Sequence, residues 1–487
     1  MKSVYSSLVT LAALTLSGCM VGPKYTRPSA PVTPTYKEPT PDAFKETKDW
    51  HTAHPDEPAF PAKWWEVFGD SQLSSLEEQV AIANQDLKAA EAHFRDARAM
   101  IRFDRASKYP TISVAPGISS LRDSGKRPYF NSNSANGSTG DFLLPFDLSY
   151  ELDLWGRVRR TVSAAREEAQ ATAADLAAAR LSLEAELAFD YFELRSADAQ
   201  RQLLEDTVAA YTDALQLTVN RFEGGAAPKS DVAQARTQLD ATRVQATDLG
   251  VQRAEFEHAI AVLIGQPPAS FSLPIVAAKI EPPNIPVGVP SQLLERRPDI
   301  AAAERRMAES NEQIGIARAA FYPTVVLGAS AGLEGTSILN WFNWPSRLWA
   351  VGPTLAQTLF DGGRRRASSD STLARYDSQV AGYRQTVLDA FQQVEDNLAA
   401  LRILETEAKQ QHETVVSAQE SLEIFTNRYK GGVDNYLQVI TAQTIALMNE
   451  RNEVDIQRRR IDASVLLIKA LGGGWTTSTL PAVSALR

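Results

Sequence analysis

The spacing of hydrophobic residues along the chain changes period several times, and each change predicts a change of architecture. In 157–223 apolar residues recur at three- and four-residue steps, as at Val208, Tyr211, Leu215 and Phe222. In 364–430 Val415, Ala418, Leu422 and Tyr429 keep the same steps. This spacing predicts helices whose apolar seams pack as coiled coils. Neither stretch contains proline, and Gly382 is the only glycine in the two. Each stretch is 67 residues long, so at 1.5 Å per residue each helix extends about 100 Å. No globular domain is that wide, and the helices must run as a rod. Shorter helical patterns over 229–264 and 433–471 follow the long ones, and two more, over 71–109 and 299–322, precede the strand regions.

The pattern is also internally repeated. Adding 207 to a residue number carries Gly156-Arg157 to Gly363-Arg364, Arg221-Phe222 to Arg428-Tyr429, Gly224-Gly225 to Gly431-Gly432 and Ile264-Gly265 to Leu471-Gly472. The chain reads as a tandem duplication of strand pair, long helix, turn and shorter helix.

In the strand regions the period falls to two, which is the signature of a strand with two unlike faces. Phe146, Leu148, Tyr150, Leu152 and Leu154 alternate with Asp147, Ser149, Glu151 and Asp153. Ile112, Val114 and Ile118 alternate likewise, as do Val325, Leu327, Ala329 and Leu333, and over 349–359 Trp349, Val351, Leu355 and Leu359 share a face. Strands of about 9–12 residues with one apolar and one polar face suit a transmembrane β-barrel; a soluble sandwich face would show the same alternation. Trp155, Trp341, Trp344 and Trp349 lie near strand ends, where aromatic girdles form in membranes. Four strands cannot close a barrel, and an open edge in lipid costs several kcal/mol per unpaired backbone group. Barrels start at about eight strands, so copies must share one: two would make eight strands, three would make twelve.

Proline marks the boundaries, because a helix interior does not accept it. Nine of the 26 prolines lie within 23–61 and eight within 267–298. The expected organisation is a signal peptide over 1–18, a Pro-rich arm over 19–62, a first repeat over 63–265, a Pro-rich linker over 266–298, a second repeat over 299–475 and a tail over 476–487. The apolar run 8–16 is shorter than the roughly 20 residues a bilayer span needs but suits a signal peptide. Leu16-Ser17-Gly18-Cys19 resembles a bacterial lipobox, in which cleavage precedes acylation of the cysteine. A chance cysteine after an ordinary secretory signal is the alternative. The chain's single cysteine falls at the cleavage position, which favours lipidation at Cys19. Met20 rather than aspartate after it fits an outer-membrane address. Acyl chains contribute about 0.8 kcal/mol per buried CH₂, enough together for a firm anchor.

Charge and composition remove several function classes. Lys and Arg total 50 against 59 Asp and Glu, a net charge of -9 without a basic block, which does not suit nucleic acid. One cysteine excludes a disulfide framework or a multi-cysteine zinc site. The five histidines, at 51, 54, 93, 258 and 412, lack metal-ligand spacing. No cofactor, metal or convergent catalytic set is expected.

Cys19, Val21-Gly22-Pro23, Trp64-Trp65, Arg296-Arg297-Pro298-Asp299-Ile300, Phe321-Tyr322-Pro323 and Leu471-Gly472-Gly473-Gly474-Trp475 together resemble TolC-like outer membrane efflux factors, in the NodT-type lipoprotein branch. The resemblance runs from Cys19 to about Trp475. It implies a homotrimer with a 12-stranded barrel, four strands per chain, continued by a long α-helical coiled-coil tunnel in the periplasm. It further implies a passive exit duct for drugs or other small molecules, docked through a periplasmic adaptor onto an inner-membrane pump. The exit duct of a protein secretion system, or a lipid-anchored coiled-coil envelope protein, are the other readings; the alternating strands weigh against the latter.

The double glycines closing each long helix permit left-handed turns, which alone would explain them. The resemblance implies more: hairpins carrying Arg221, Gly224, Gly225, Arg428, Gly431 and Gly432 dock the adaptor and narrow the closed pore. It makes Asp231 the acceptor for the Tyr429 hydroxyl and Ser230 a second acceptor, whose arginine partner is replaced by Asp434. Leu437 matches an apolar constriction ring, and Gln438 and Thr441 occupy gate positions where relatives often carry acids. Arg157, Arg159 and Arg160, like Arg364, Arg365 and Arg366, open the long helices. Cations are disfavoured there by a few tenths of a kcal/mol. Phosphates of the inner leaflet, or water alone, are the expected compensation, and Asp153 and Asp361 are placed to cap.

Overall fold

The computed structural model describes residues 20–38, 62–122, 124, 137–276, 281–283, 285, 293–482 and 485–486. A 3₁₀ turn at Trp64–Phe68 leads into α1 (Ser71–Ala83) and α2 (Gln85–Ala106). Then come β1 (Thr111–Val114), β2 (Gly117–Leu121), β3 (Thr139–Glu151), α3 (Arg157–Glu223) and α4 (Lys229–Leu263). After a single turn at Leu293–Arg296 follow α5 (Pro298–Ala319), β4 (Thr324–Gly335), β5 (Arg347–Ala356), α6 (Arg364–Lys430) and α7 (Tyr436–Ala470). The two long helices have 67 residues each and the two shorter ones 35 each.

The expected single helix over 71–109 is two helices, broken at Asn84. Its side chain accepts from the Leu87 amide and donates to the Leu263 carbonyl at 2.8 Å, so it caps α2 while tying it to the end of α4. Strand bounds also shift. The third strand region begins at Thr139 and stops at Glu151, so Leu152 and Leu154 lie beyond it, and β5 ends at Ala356, short of Leu359. The first strand line is interrupted at Ala115-Pro116, where proline has no N–H to give the ladder.

The strands form one antiparallel sheet in the order β1-β3-β4-β5, with β2 extending β1 along the same edge of β3. Register aligns like with like. Ile112, Leu148, Ala329 and Val351 stand in one row, and Val114, Phe146, Ala331 and Trp349 in another. Between them runs Ser113, Asp147, Ser330 and Ala350. A slip of one residue would exchange these faces. One face is therefore continuously apolar, yet Ile112, Trp349 and Val351 are about two-thirds or more exposed. Its ends carry aromatics: Trp155 stacks on Tyr322 at one, and Trp341 packs on Phe142 and Phe342 at the other. Among the described residues, β1 with β2 and β5 each leave one edge unpaired.

The main core lies where the helices meet away from the sheet. Trp64, Leu73, Leu76 and Val80 pack against Leu187, Tyr191 and Leu194 of α3, Val387 and Val394 of α6, and Val465 and Ile468 of α7. Arg297 is buried there, donating to the Ala470 carbonyl and to Gln393, both at 2.9 Å, and pairing with Asp299. The Arg296-Arg297-Pro298-Asp299 motif thus sutures the linker to the end of α7, where Gly472 at φ 93 approaches the Arg296 carbonyl too closely for any side chain.

Candidate functional site at the helical tips and the sheet junction

Both helical hairpins close with the same hydrogen bonds. Ala226 N donates to Arg221 O and Gly225 N to Phe222 O; Val433 N donates to Arg428 O and Gly432 N to Tyr429 O. These are Schellman closures, which need a left-handed residue, supplied by Gly225 at φ 72 and Gly432 at φ 76. The paired glycines are thereby accounted for by chain reversal.

Between the hairpins lies a small core of Ala235, Tyr429, Tyr436 and Val439, flanked by Leu215, Leu217 and Ile440. The rings of Tyr429 and Tyr436 are 5.1 Å apart. Here the structure corrects the expected contact. The Tyr429 hydroxyl is buried with no hydrogen-bond partner, and it does not reach Asp231. Its ring is positioned instead by Tyr436 on one side and by the Arg221 guanidinium, 4.6 Å from its centroid, on another. Asp231 receives a long bond of 3.5 Å from the Ser230 hydroxyl, so Ser230 serves its neighbour rather than the opposite hairpin. Burial pushes the Asp231 carboxyl above the usual range, with Ser230 and Arg221 opposing that shift.

Asp434 does not stand unpaired in place of the missing arginine. Arg428 grips it with two bonds of 2.6 and 3.1 Å inside its own hairpin, which holds the Asp434 carboxyl below the usual range. Leu437, Gln438 and Thr441 all lie on exposed positions of α7, and the Thr441 hydroxyl donates back to the Leu437 carbonyl. Arg221, expected only as a docking residue, bridges the two hairpins: its Nη1 donates to the Lys430 carbonyl at 3.0 Å. No local signal marks that bridge, since its partners are 209 residues apart.

At the opposite end of the long helices, the arginines find intramolecular partners. Arg157 pairs with Glu151, Arg159 with Asp153 at 3.1 Å and Arg365 with Asp361 at 2.6 Å. Carboxylates of the same chain thus compensate these three. Asp153 also accepts from the amides of Val158 and Arg159, and Asp361 from those of Gly363 and Arg365, so both cap as expected. Arg364 and Arg366 are exposed. Arg160 differs from all of these: it is 2% exposed and donates to the carbonyls of Val21 and Pro23 while pairing with Glu312. It fastens the start of the N-terminal arm to α3 and α5. Val21 N also donates to Trp155 O, and Met20 sits against Gly156. Cys19 lies outside the described residues, one position before this seat. Among the described residues no group of His, Cys, Asp and Glu could hold a metal ion, and no helix is long and apolar enough to cross a membrane.

Residues 76–266 and 289–473 match the outer membrane efflux protein family. The outer membrane protein OprJ of Pseudomonas aeruginosa is 32% identical over 480 residues, with 97% of each chain covered. The probable efflux pump outer membrane protein TtgC of Pseudomonas putida is 31% identical over 484 residues, covering 98% of this chain and 97% of that one. Among solved structures, the outer-membrane channel OprN superposes with a TM-score of 0.85 at 28% identity, over 94% of this chain and 100% of that one. This chain belongs to the outer membrane efflux protein family.

Proposed function

We propose that three copies of this chain share a 12-stranded barrel and, below it, an α-helical tunnel that carries small molecules out of the cell. The observation that carries this reading is a sheet with one continuous apolar face and, among the described residues, two unpaired edges, joined to 67-residue helices. Edges of that kind are unstable in lipid unless neighbouring copies pair them. In this reading the energy comes from an inner-membrane pump, reached through a periplasmic adaptor that docks on the two hairpins around Gly224-Gly225 and Gly431-Gly432. Leu437, Gln438 and Thr441 line the narrowest point, and Asp231 and Tyr429 shape the tip behind them. Relatives named for antibiotic and for toluene efflux support small organic molecules as cargo. The equal lengths of the paired helices support reading 63–265 and 299–475 as two structural repeats. Native mass spectrometry of the detergent-solubilised protein should give a trimer; a stable monomer would overturn the shared barrel.

Lipidation of Cys19 belongs to the same reading and is supported by the seat of Met20 and Val21 at the sheet–helix junction, beside the Trp155 and Tyr322 rings. The exposed Arg364 and Arg366 are placed to meet inner-leaflet phosphates there. Cys19→Ser should abolish incorporation of labelled palmitate and lipoprotein-type cleavage. Unchanged labelling would show that the anchor lies elsewhere.

A further inference from the structure

We infer that Arg221 is the latch between the two hairpins, holding the tip shut by clasping the Tyr429 ring and the end of α6. This inference rests on the proposed gate at the tip and names the contact that closes it. Arg221 stands in the last turn of α3. Its guanidinium lies 4.6 Å from the centroid of the Tyr429 ring, and its Nη1 donates to the Lys430 carbonyl at 3.0 Å.

Three physical arguments converge on this role. Lys430 is the last residue of α6, so its carbonyl is one of those a helix leaves without an internal partner. A cation is favoured at that end of the helix. A guanidinium can donate to a carbonyl with one edge and still present its plane to an aromatic face, which an ammonium cannot do.

Position supplies the leverage. Among the described residues, the other side-chain links between the hairpins are Tyr211 to the Gln443 carbonyl, Gln238 to Thr444, Arg451 to Gln245 and, deeper still, Arg458 to Glu193. Tyr211 precedes Arg221 by ten residues on the same helix, about 15 Å nearer the core. Links deep in the bundle act as a hinge, whereas Arg221 ties the ends that must part. Arg428 and Asp434 stiffen their own hairpin without bridging to the other one. The Tyr429 hydroxyl has no partner at ordinary hydrogen-bond distance, although Thr218 and Arg221 both act on it, so the aromatic face makes the defined contact.

Single-channel recording of the reconstituted full chain tests this. Arg221→Ala should raise the open probability about two- to fivefold, the ratio for one cation–π contact of this class, with trimer assembly checked by native mass spectrometry. Tyr429→Phe keeps the ring and should behave as wild type, and Arg221→Lys should fall between wild type and Arg221→Ala. An unchanged open probability in Arg221→Ala overturns the latch. So does opening by Tyr429→Phe equal to that of Arg221→Ala, because the hydroxyl would then be the holding group. Leu437→Cys treated with a charged thiol reagent, against the unsubstituted chain treated alike, separates the two levels. If the reagent alters the current while Arg221→Ala does not, the tip is the constriction but something other than Arg221 closes it. If neither has any effect, the gate is not at the tip and the latch falls with it.

Discussion

Asp198→Ala is expected to destabilise the protein by about 3–5 kcal/mol, the usual result of removing one partner from a buried ion pair. Asp198 has no exposed surface and accepts from Arg253 Nε at 2.7 Å, Arg195 Nη1 at 3.1 Å and the Val276 amide at 3.2 Å. The same two arginines donate to the Pro274 and Leu273 carbonyls. One carboxylate therefore joins α3, α4 and the chain after α4, and its loss leaves the buried Arg195 without its carboxylate partner and Arg253 with Glu257 alone. Thermal scans of the solubilised protein should show a clearly lower transition, together with faster proteolysis around 273–276. A converse test separates charge from packing. Replacing Asp198, Arg195, Arg253 and its second partner Glu257 together with apolar residues of similar size should recover much of the loss, since no charge of the network then remains buried. If Asp198→Ala melts like wild type, the network is not buried as the structure has it.

Arg160→Ala should release the N-terminal arm from the sheet–helix junction. Each hydrogen bond to a charged group is worth about 1.5–3 kcal/mol net, and Arg160 makes such bonds to the carbonyls of Val21 and Pro23 besides its pair with Glu312. The fit is close: a Cβ on Gly315 would fall 2.2 Å from the Arg160 side chain, and one on Gly22 would fall 2.7 Å from Gly315 Cα. Gly315→Val should therefore reproduce Arg160→Ala by displacing the guanidinium. Both variants should expose 20–27 to protease while leaving acylation untouched, because processing precedes folding of the arm. Equal protease resistance in wild type and both variants would mean that the remaining contacts, such as Tyr25 to Glu304 and Arg27 to Tyr383, hold the arm alone.

The membrane end and the tip were unequally legible. At the membrane end the caps Asp153 and Asp361 were readable because they lie within six residues of the amides they serve. The partners of Arg157 and Arg365 are equally near, but the sequence does not say whether a nearby carboxylate or a lipid takes them. At the tip, residue types pointed to the right cluster and to the wrong bond. Tyr429 belongs to that small core and Asp231 lies close enough to act on it, yet the ring is presented to Arg221.

What the sequence determined by itself is periodic or short-range. Seam spacing determined that the long helices form, and the flanking glycines determined their ends: Arg157–Glu223 lies between Gly156 and Gly224, and Arg364–Lys430 between Gly363 and Gly431. Alternation determined which residues share a strand face, and the glycine pairs determined where the chain reverses. Each follows from interactions over a few residues, where backbone geometry leaves little choice. Tertiary structure alone decided the break at Asn84, whose side chain is drawn to Leu263, 179 residues away. It alone chose Arg160 among the junction arginines to fasten the arm, and Arg221 to bridge the hairpins. Such contacts depend on how far each helix slides and turns against its neighbour. That is set by the summed packing of the whole seam, in which no single residue has a decisive share.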